Sequence, residues 1–165
     1  MGTAGNQLIR GLDPADIADD LDRLYCYEQV SIHWARAVDN RLRGLAEIVI
    51  EEPLRENVAL AERHASRLGA RAAQLGGAIT ADPTRFVERS QHISVDMPED
   101  PSDPAAVLAY ALTQQQKSIG RYGELIERIR DADAVTERLL VSILADKVAQ
   151  EDEIESGLSA YQPAT

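Results

Sequence analysis

Apolar residues recur every three or four positions along four long stretches of the chain. From Pro14, the series Ile17, Leu21, Leu24, Ile32, Ala35, Val38 and Leu42 runs to about Arg43, the spacing of a one-sided amphipathic helix. A second series, Leu54, Val58, Ala61, Leu68, Ala72 and Leu75, predicts a helix over 46–75 that passes or begins near Pro53. The third, Leu108, Leu112, Ile119, Tyr122, Ile126 and Ile129, covers 104–130, and the fourth, Leu140, Ile143, Leu144, Ile154 and Leu158, covers 133–158. No alternating strand pattern interrupts them. Asp13-Pro14 and Asp103-Pro104 each put a capping carboxylate before a proline whose missing N–H costs nothing at the first helical position. Gly44 is a plausible break after the first helix, and Gly76-Gly77 stops the second.

The connections differ in kind. Asp131-Ala132-Asp133 allows only a short turn, so the third and fourth helices return antiparallel. The segment 76–103 carries Gly76-Gly77, Pro83, Pro98 and Pro101, with a short helical turn expected over 84–89. Connections of that length in compact domains are crossovers or functional loops. The expected architecture is all-α: a four-helix bundle with a long crossover between helices 2 and 3, the ferritin-like connectivity. A single domain spans 13–160, with flexible ends at 1–12 and 161–165.

Composition narrows the partners. Seventeen Lys and Arg against 28 Asp and Glu leave a formal charge of −11, a field that repels phosphate backbones and anionic lipid surfaces. Neither nucleic acid nor membrane is an expected partner. One cysteine, Cys26, excludes an internal disulfide and favours a reducing, cytoplasmic setting. The N-terminal residues show no signal-peptide pattern, and no run approaches the ~20 apolar residues of a membrane span.

Polar residues on the apolar stripes carry the candidate chemistry. Glu28 lies one turn from both Leu24 and Ile32, and His64 lies between Ala61 and Leu68. Gln114 and Gln115 interrupt the third stripe, and Lys147 and Gln150 the fourth. Each helix thus brings polar groups to a similar depth.

The segments Glu62-Arg63-His64-Ala65, Leu75-Gly76-Gly77, Asp82-Pro83, Glu88-Arg89-Ser90-Gln91-His92 and Leu139-Leu140-Val141-Ser142-Ile143-Leu144-Ala145-Asp146 resemble the bacterioferritin-like branch of the ferritin-like superfamily. The likeness extends from about Leu21 to Leu158. Glu28 and His64 stand 36 positions apart, as do Gln114 and Gln150, so the two hairpins superpose as half-repeats. In that family a di-iron centre takes one Glu from each of two helices and a Glu-x-x-His from each of the other two. The resemblance assigns Glu28 and His64 to ligand positions. Ala61, Gln114, Lys147 and Gln150 stand where a Glu, a Glu, a Glu and a His belong, leaving a degraded, vestigial centre. A one-residue register shift offers Glu62 and Glu151 instead, but turns them about 100° from the seam.

Lys147 can replace the metal's charge by pairing with Glu28, with Gln114, Gln150 and His64 completing the hydrogen bonds. In the blander alternative, Lys147 snorkels to solvent and Glu28 hydrogen-bonds a tyrosine such as Tyr122. Among other residues, His33-Trp34 resembles a pair in the DNA-protecting mini-ferritins, where histidines bind iron between subunits, but acidic partners at the matching spacing are missing. Packing or an interface suits it better. His92 reads as a loop residue, Cys26 as a buried inert thiol, and Tyr25, Tyr27 and Tyr110 as structural. With only Met1 and Met97, the bacterioferritin haem ligand has no counterpart.

Three functions follow as expectations. The first is a non-catalytic structural, assembly or binding subunit with no cofactor. The second is an active iron-storage ferroxidase, its iron bound at a non-standard or intersubunit site. The third is a binding bundle unconnected with iron. A homo-oligomer is expected, a dimer or a larger closed shell, partly because Ile48, Val49 and Ile50 read as an exterior apolar run. An active ferritin-like paralogue is a possible partner.

Overall fold

In a computed structural model describing residues 3–91 and 97–161, the chain forms α1 (Thr3–Asn6), α2 (Pro14–Asp39), α3 (Gly44–Gln74), a 3₁₀ turn (Pro83–Arg85), α4 (Phe86–Ser90), α5 (Pro104–Ile129) and α6 (Ala134–Ser159). Helix α2 packs chiefly on α3 and α5 on α6, giving two hairpins joined by the crossover. The four long helices match the expected stretches, and no strand occurs among the described residues.

The caps explain the boundaries. Asp13 and Asp103 accept from the backbone N–H of Ala15 and Ala105, each with proline at the first helical positions. Asp133 caps α6 through Val135 and Thr136. Gly44 does not end α2. It opens α3 at φ +61°, after Asn40 has capped α2. Pro53 lies inside α3 on an exposed face, where the carbonyl that loses its partner can turn to water. At the other end, Gly76 adopts φ +89°. The next residue, Gly77, passes so close to α2 that a Cβ there would meet the Ala18 Cβ at 2.5 Å.

Two apolar clusters flank the bundle's middle. One joins Ile17, Leu21 and Leu24 to Leu68, Tyr122, Ile129, Leu140 and Ile143; the other gathers Val38, Leu42, Ala46, Ile50, Leu54 and Val107. Two expectations need correction. Ile50 is 5 % exposed and Val49 packs against the second cluster, leaving Ile48 (80 %) and Leu45 (54 %) as the exposed pair. A helix buries every third or fourth residue, so three consecutive positions cannot share one outer face. The segment 1–12 is also not loose throughout: Arg10 N–H donates to the Ala132 carbonyl (3.0 Å), and Ile9 and Leu12 pack on the core.

The crossover is tied to α2 by Asp22. Its carboxylate accepts from the Thr80 N–H (2.5 Å), the Thr80 hydroxyl (2.8 Å) and Arg89 (2.8 and 3.1 Å). Tyr25 meets Phe86 edge-on. His92 lies outside the described residues.

Candidate functional site

Glu28, on α2, is fully buried. Lys147 on α6, 4 % exposed, places its Nζ 2.8 Å from Glu28 Oε1 and 2.9 Å from Oε2. The Tyr122 hydroxyl on α5 donates to Oε1 at 2.7 Å. His64 on α3 is 1 % exposed, its Nδ1 3.9 Å from Glu28 Oε2. Its Nε2 lies 3.0 Å from Oδ2 of Asp146, a residue whose side chain remains 41 % exposed. All four long helices therefore meet at one carboxylate.

Burial alone would push the Glu28 carboxyl up. The Lys147 ammonium, with His64 beside it, more than reverses this and holds it at about 2. The Tyr122 hydroxyl is driven well above 10, first by burial and then by the carboxylate it faces. A buried carboxylate is stable only when its charge is matched and its lone pairs are engaged; one ammonium and one phenol do both here.

Lys147 thus does not snorkel, yet Glu28 does bond Tyr122, so each of the two alternatives supplies one contact. The glutamines act differently from expectation. Gln115 Nε2 donates to the Lys147 carbonyl (2.6 Å) and to Gln150 Oε1 (3.1 Å), while Gln150 Nε2 donates to Asn57 Oδ1 (2.7 Å). They form a polar layer next to the ion pair and give Glu28 no bond. Gln114 contributes its backbone carbonyl to the Tyr27 hydroxyl (3.0 Å), whereas its side-chain Oε1 is buried without a partner among the described residues, as are His64 Nδ1 and Ser118 Oγ. Asp146 and Asn57 were missed by the sequence reading. Asp146 is a single carboxylate about 100° round α6 from Lys147, so nothing in the apolar stripe marks it.

The shifted register fails. Glu62 faces outward and pairs with Arg36. Glu151 is half-buried on α6, one residue past Gln150. His33 is exposed, and Trp34 stacks on Tyr110 with ring centroids 4.8 Å apart. Cys26 is fully buried, its thiol pushed up to about 11 by burial and then by Asp22.

As a donor set for iron, the centre fits poorly. Both Glu28 oxygens carry the Lys147 ammonium, and Ala61 offers no ligand. Among the described residues no group of three or more His, Cys, Asp or Glu could hold a metal ion. Ala61, Gln114, Gln150 and Lys147 help line a cavity of about 100 Å³. No described helix is long and apolar enough to cross a membrane.

Two antiparallel helical hairpins joined by one long crossover, with polar groups converging at mid-depth, define a ferritin-type bundle. The sequence profile of the ferritin-like domain matches residues 17–162, and the chain belongs to the ferritin-like family. Solved structures agree in fold. A protein described as a dodecameric thioferritin, the bacterioferritin-related protein of Bacteroides fragilis, superposes with a TM-score of 0.88 at 19 % identity, over 96 % of this chain and 94 % of that one. A Dps1 mutant of Mycobacterium smegmatis follows at 0.81 and 20 % identity, over 88 % and 97 %. Antigen TpF1 of Treponema pallidum gives 0.80 and 17 %, over 90 % and 97 %. No curated protein sequence matches the chain.

Proposed function

We propose that this chain is a ferritin-like subunit whose intra-bundle metal centre has become an ion-paired polar plug, and that it acts as a non-catalytic structural, assembly or binding component. The observation that carries the reading is the Lys147 ammonium seated on both oxygens of the buried Glu28 carboxylate. It stands where a cation would stand in a carboxylate-bridged centre, so the protein supplies its own positive charge. Ala61, Gln114 and Gln150 complete the change at the three other replaced ligand positions, leaving His64 beside Glu28.

The subunit is read as homo-oligomeric and cytoplasmic. Exposed Leu45 and Ile48 offer apolar surface to another copy, and the similar Bacteroides fragilis protein is described as dodecameric. A free buried thiol suits a reducing compartment. Light scattering that finds a monomer at micromolar concentration would remove the assembly role. An active ferritin-like paralogue remains a candidate co-subunit, detectable by co-purification.

The decisive experiment is metal content and ferrous oxidation of the purified protein. The expected result is no stoichiometric iron and no turnover, and stoichiometric iron with turnover overturns the proposal. Restoring Ala61→Glu, Gln114→Glu, Lys147→Glu and Gln150→His together is expected to create iron binding. A second reading, an iron-oxidising protein with its site between subunits, is favoured only by the exposed His33 beside Trp34. It predicts iron uptake that survives Glu28→Gln and fails in His33→Ala.

A further inference from the structure

The cavity beside the ion pair is built from all four long helices. Its apolar wall includes Leu54, Val58, Trp34 and Ile154, and Ala61 and Gln114 supply its small and polar parts. Among the described residues no Asp, Glu or His lines it, so they offer nothing to a metal ion and no counter-charge to a cationic guest. Lys147 also lines it, but its ammonium is committed to Glu28. A charged guest would therefore bring an unmatched charge into a low-dielectric interior. A wholly apolar guest would leave the buried Gln114 Oε1 unsatisfied, and that atom has no partner among the described residues. Trp34, Val58 and Ile154 are only half-buried, which leaves a route in that does not require the bundle to open.

From this chemistry we infer that the cavity is a binding site for a small uncharged molecule: a compact aliphatic body of about four carbons bearing one amide or hydroxyl head. The head donates to Gln114 Oε1. A primary amide serves best, because it can also accept from the same glutamine's N–H groups. The size follows from the volume: a cavity of ~150 Å³ takes benzene and a water's share of liquid is ~30 Å³, so about 100 Å³ suits a guest of no more than benzene's six heavy atoms. The inference rests on the non-catalytic reading only in that no metal occupies the region.

The test is titration of the purified protein with isobutyramide, followed by amide and methyl NMR shifts, with isobutyrate as the charged control. Saturable shifts at residues lining the cavity are expected, with a Kd on the order of 1 mM for so small a ligand and at least ten-fold weaker binding of isobutyrate. Ala61→Val fills the space and is expected to abolish binding. Gln114→Leu is expected to weaken isobutyramide at least ten-fold. Circular dichroism of both variants confirms the folded bundle. No saturable binding to the wild type, or binding unchanged in a folded Ala61→Val variant, overturns the inference and leaves a site filled by about three waters. Iron uptake is measured separately, so failure of the ligand site and failure of the non-catalytic reading give different results.

Discussion

Two buried ion pairs link the hairpins of this bundle, and they are finished differently. At one end, Arg71 of α3 reaches Asp133 at the start of α6. Its Nη2 lies 2.8 Å from Asp133 Oδ2, its Nε donates to the Thr136 hydroxyl (2.8 Å) and its Nη1 to Gln74 Oε1 (3.1 Å). Asp133 meanwhile caps α6. Burial would raise its carboxyl, but the bonds from Thr136 and Arg71 hold it below the usual range. At the centre, Lys147 (4 %) and Glu28 (0 %) are more deeply buried than Arg71 (8 %) and Asp133 (4 %) respectively, yet His64 Nδ1 and Gln114 Oε1 nearby have no partner among the described residues. Native structures satisfy nearly all buried polar groups. The end pair is built into a helix cap and two further hydrogen bonds, whereas the central one has unengaged buried polar atoms beside it.

Breaking the pairs gives the largest effects. Lys147→Met strands a buried carboxylate, and Arg71→Met does the same at Asp133. Each is expected to cost about 3–5 kcal/mol, which at ~2–4 °C per kcal/mol for a chain of this size lowers the Tm by roughly 6–20 °C. An unchanged Tm in Lys147→Met would mean that Lys147 is solvated and the plug does not exist.

The double variants sharpen the contrast. Glu28→Gln with Lys147→Met removes both central charges and is expected to recover most of the loss, to within about 2 kcal/mol of the wild type. Arg71→Met with Asp133→Asn recovers less, because the guanidinium's bonds to Thr136 and Gln74 go with it. Equal recovery in the two melts would erase the distinction drawn between the pairs.

Acid provides a smaller, graded test. Glu28 titrates at about 2 in the fold against an ordinary 4.5, so the folded state binds fewer protons than the unfolded chain. The stabilisation is complete above the unfolded value and is lost as pH falls from about 4.5 towards 2. The stability gap between wild type and the Glu28→Gln, Lys147→Met protein is expected to move against the wild type across that window. Urea melts at pH 6, 4 and 3 measure it, and a pH-independent gap would refute the depressed carboxyl. Least in magnitude, Cys26 is fully buried with its thiol raised to about 11, so alkylation at pH 8 is expected to require unfolding. Rapid labelling of native protein would show that α2 opens locally.

Much of this was written in the sequence because its signals are local. Asp13-Pro14, Asp103-Pro104 and Gly76-Gly77 act on their own helix ends, and the stripes state which face is buried. Glu28, His64 and Lys147 stood out because a charged residue on an apolar stripe requires an explanation. What could not be read was distance across the bundle. Tyr122, read both as a core residue and as a tyrosine Glu28 might bond, delivers its hydroxyl to the carboxylate, whereas the glutamines expected there bond one another. Register along a helix is set by 3.6 residues per turn, but which of several polar side chains reaches a shared carboxylate depends on helix depth and rotamer. Neither leaves a periodic trace. Gly44 does mark the break between α2 and α3, but as the residue that opens α3, since a left-handed glycine can precede a helix as well as follow one.

The polar layer has a consequence for how the molecule comes apart. It divides the interior into one cluster that includes α6 and a second, around Val38, Ala46, Ile50 and Val107, whose buried members come only from α2, α3, α5 and the loop after α2. Such a partition lets one region open as a cooperative unit while the rest stays folded. Amide hydrogens of residues 35–54 should exchange through an opening cheaper than global unfolding, and those around Leu21, Tyr122 and Ile143 only when the whole bundle melts. The end of the α2–α3 hairpin would then breathe without disturbing Glu28, and a partner could grip it there at little cost to the fold.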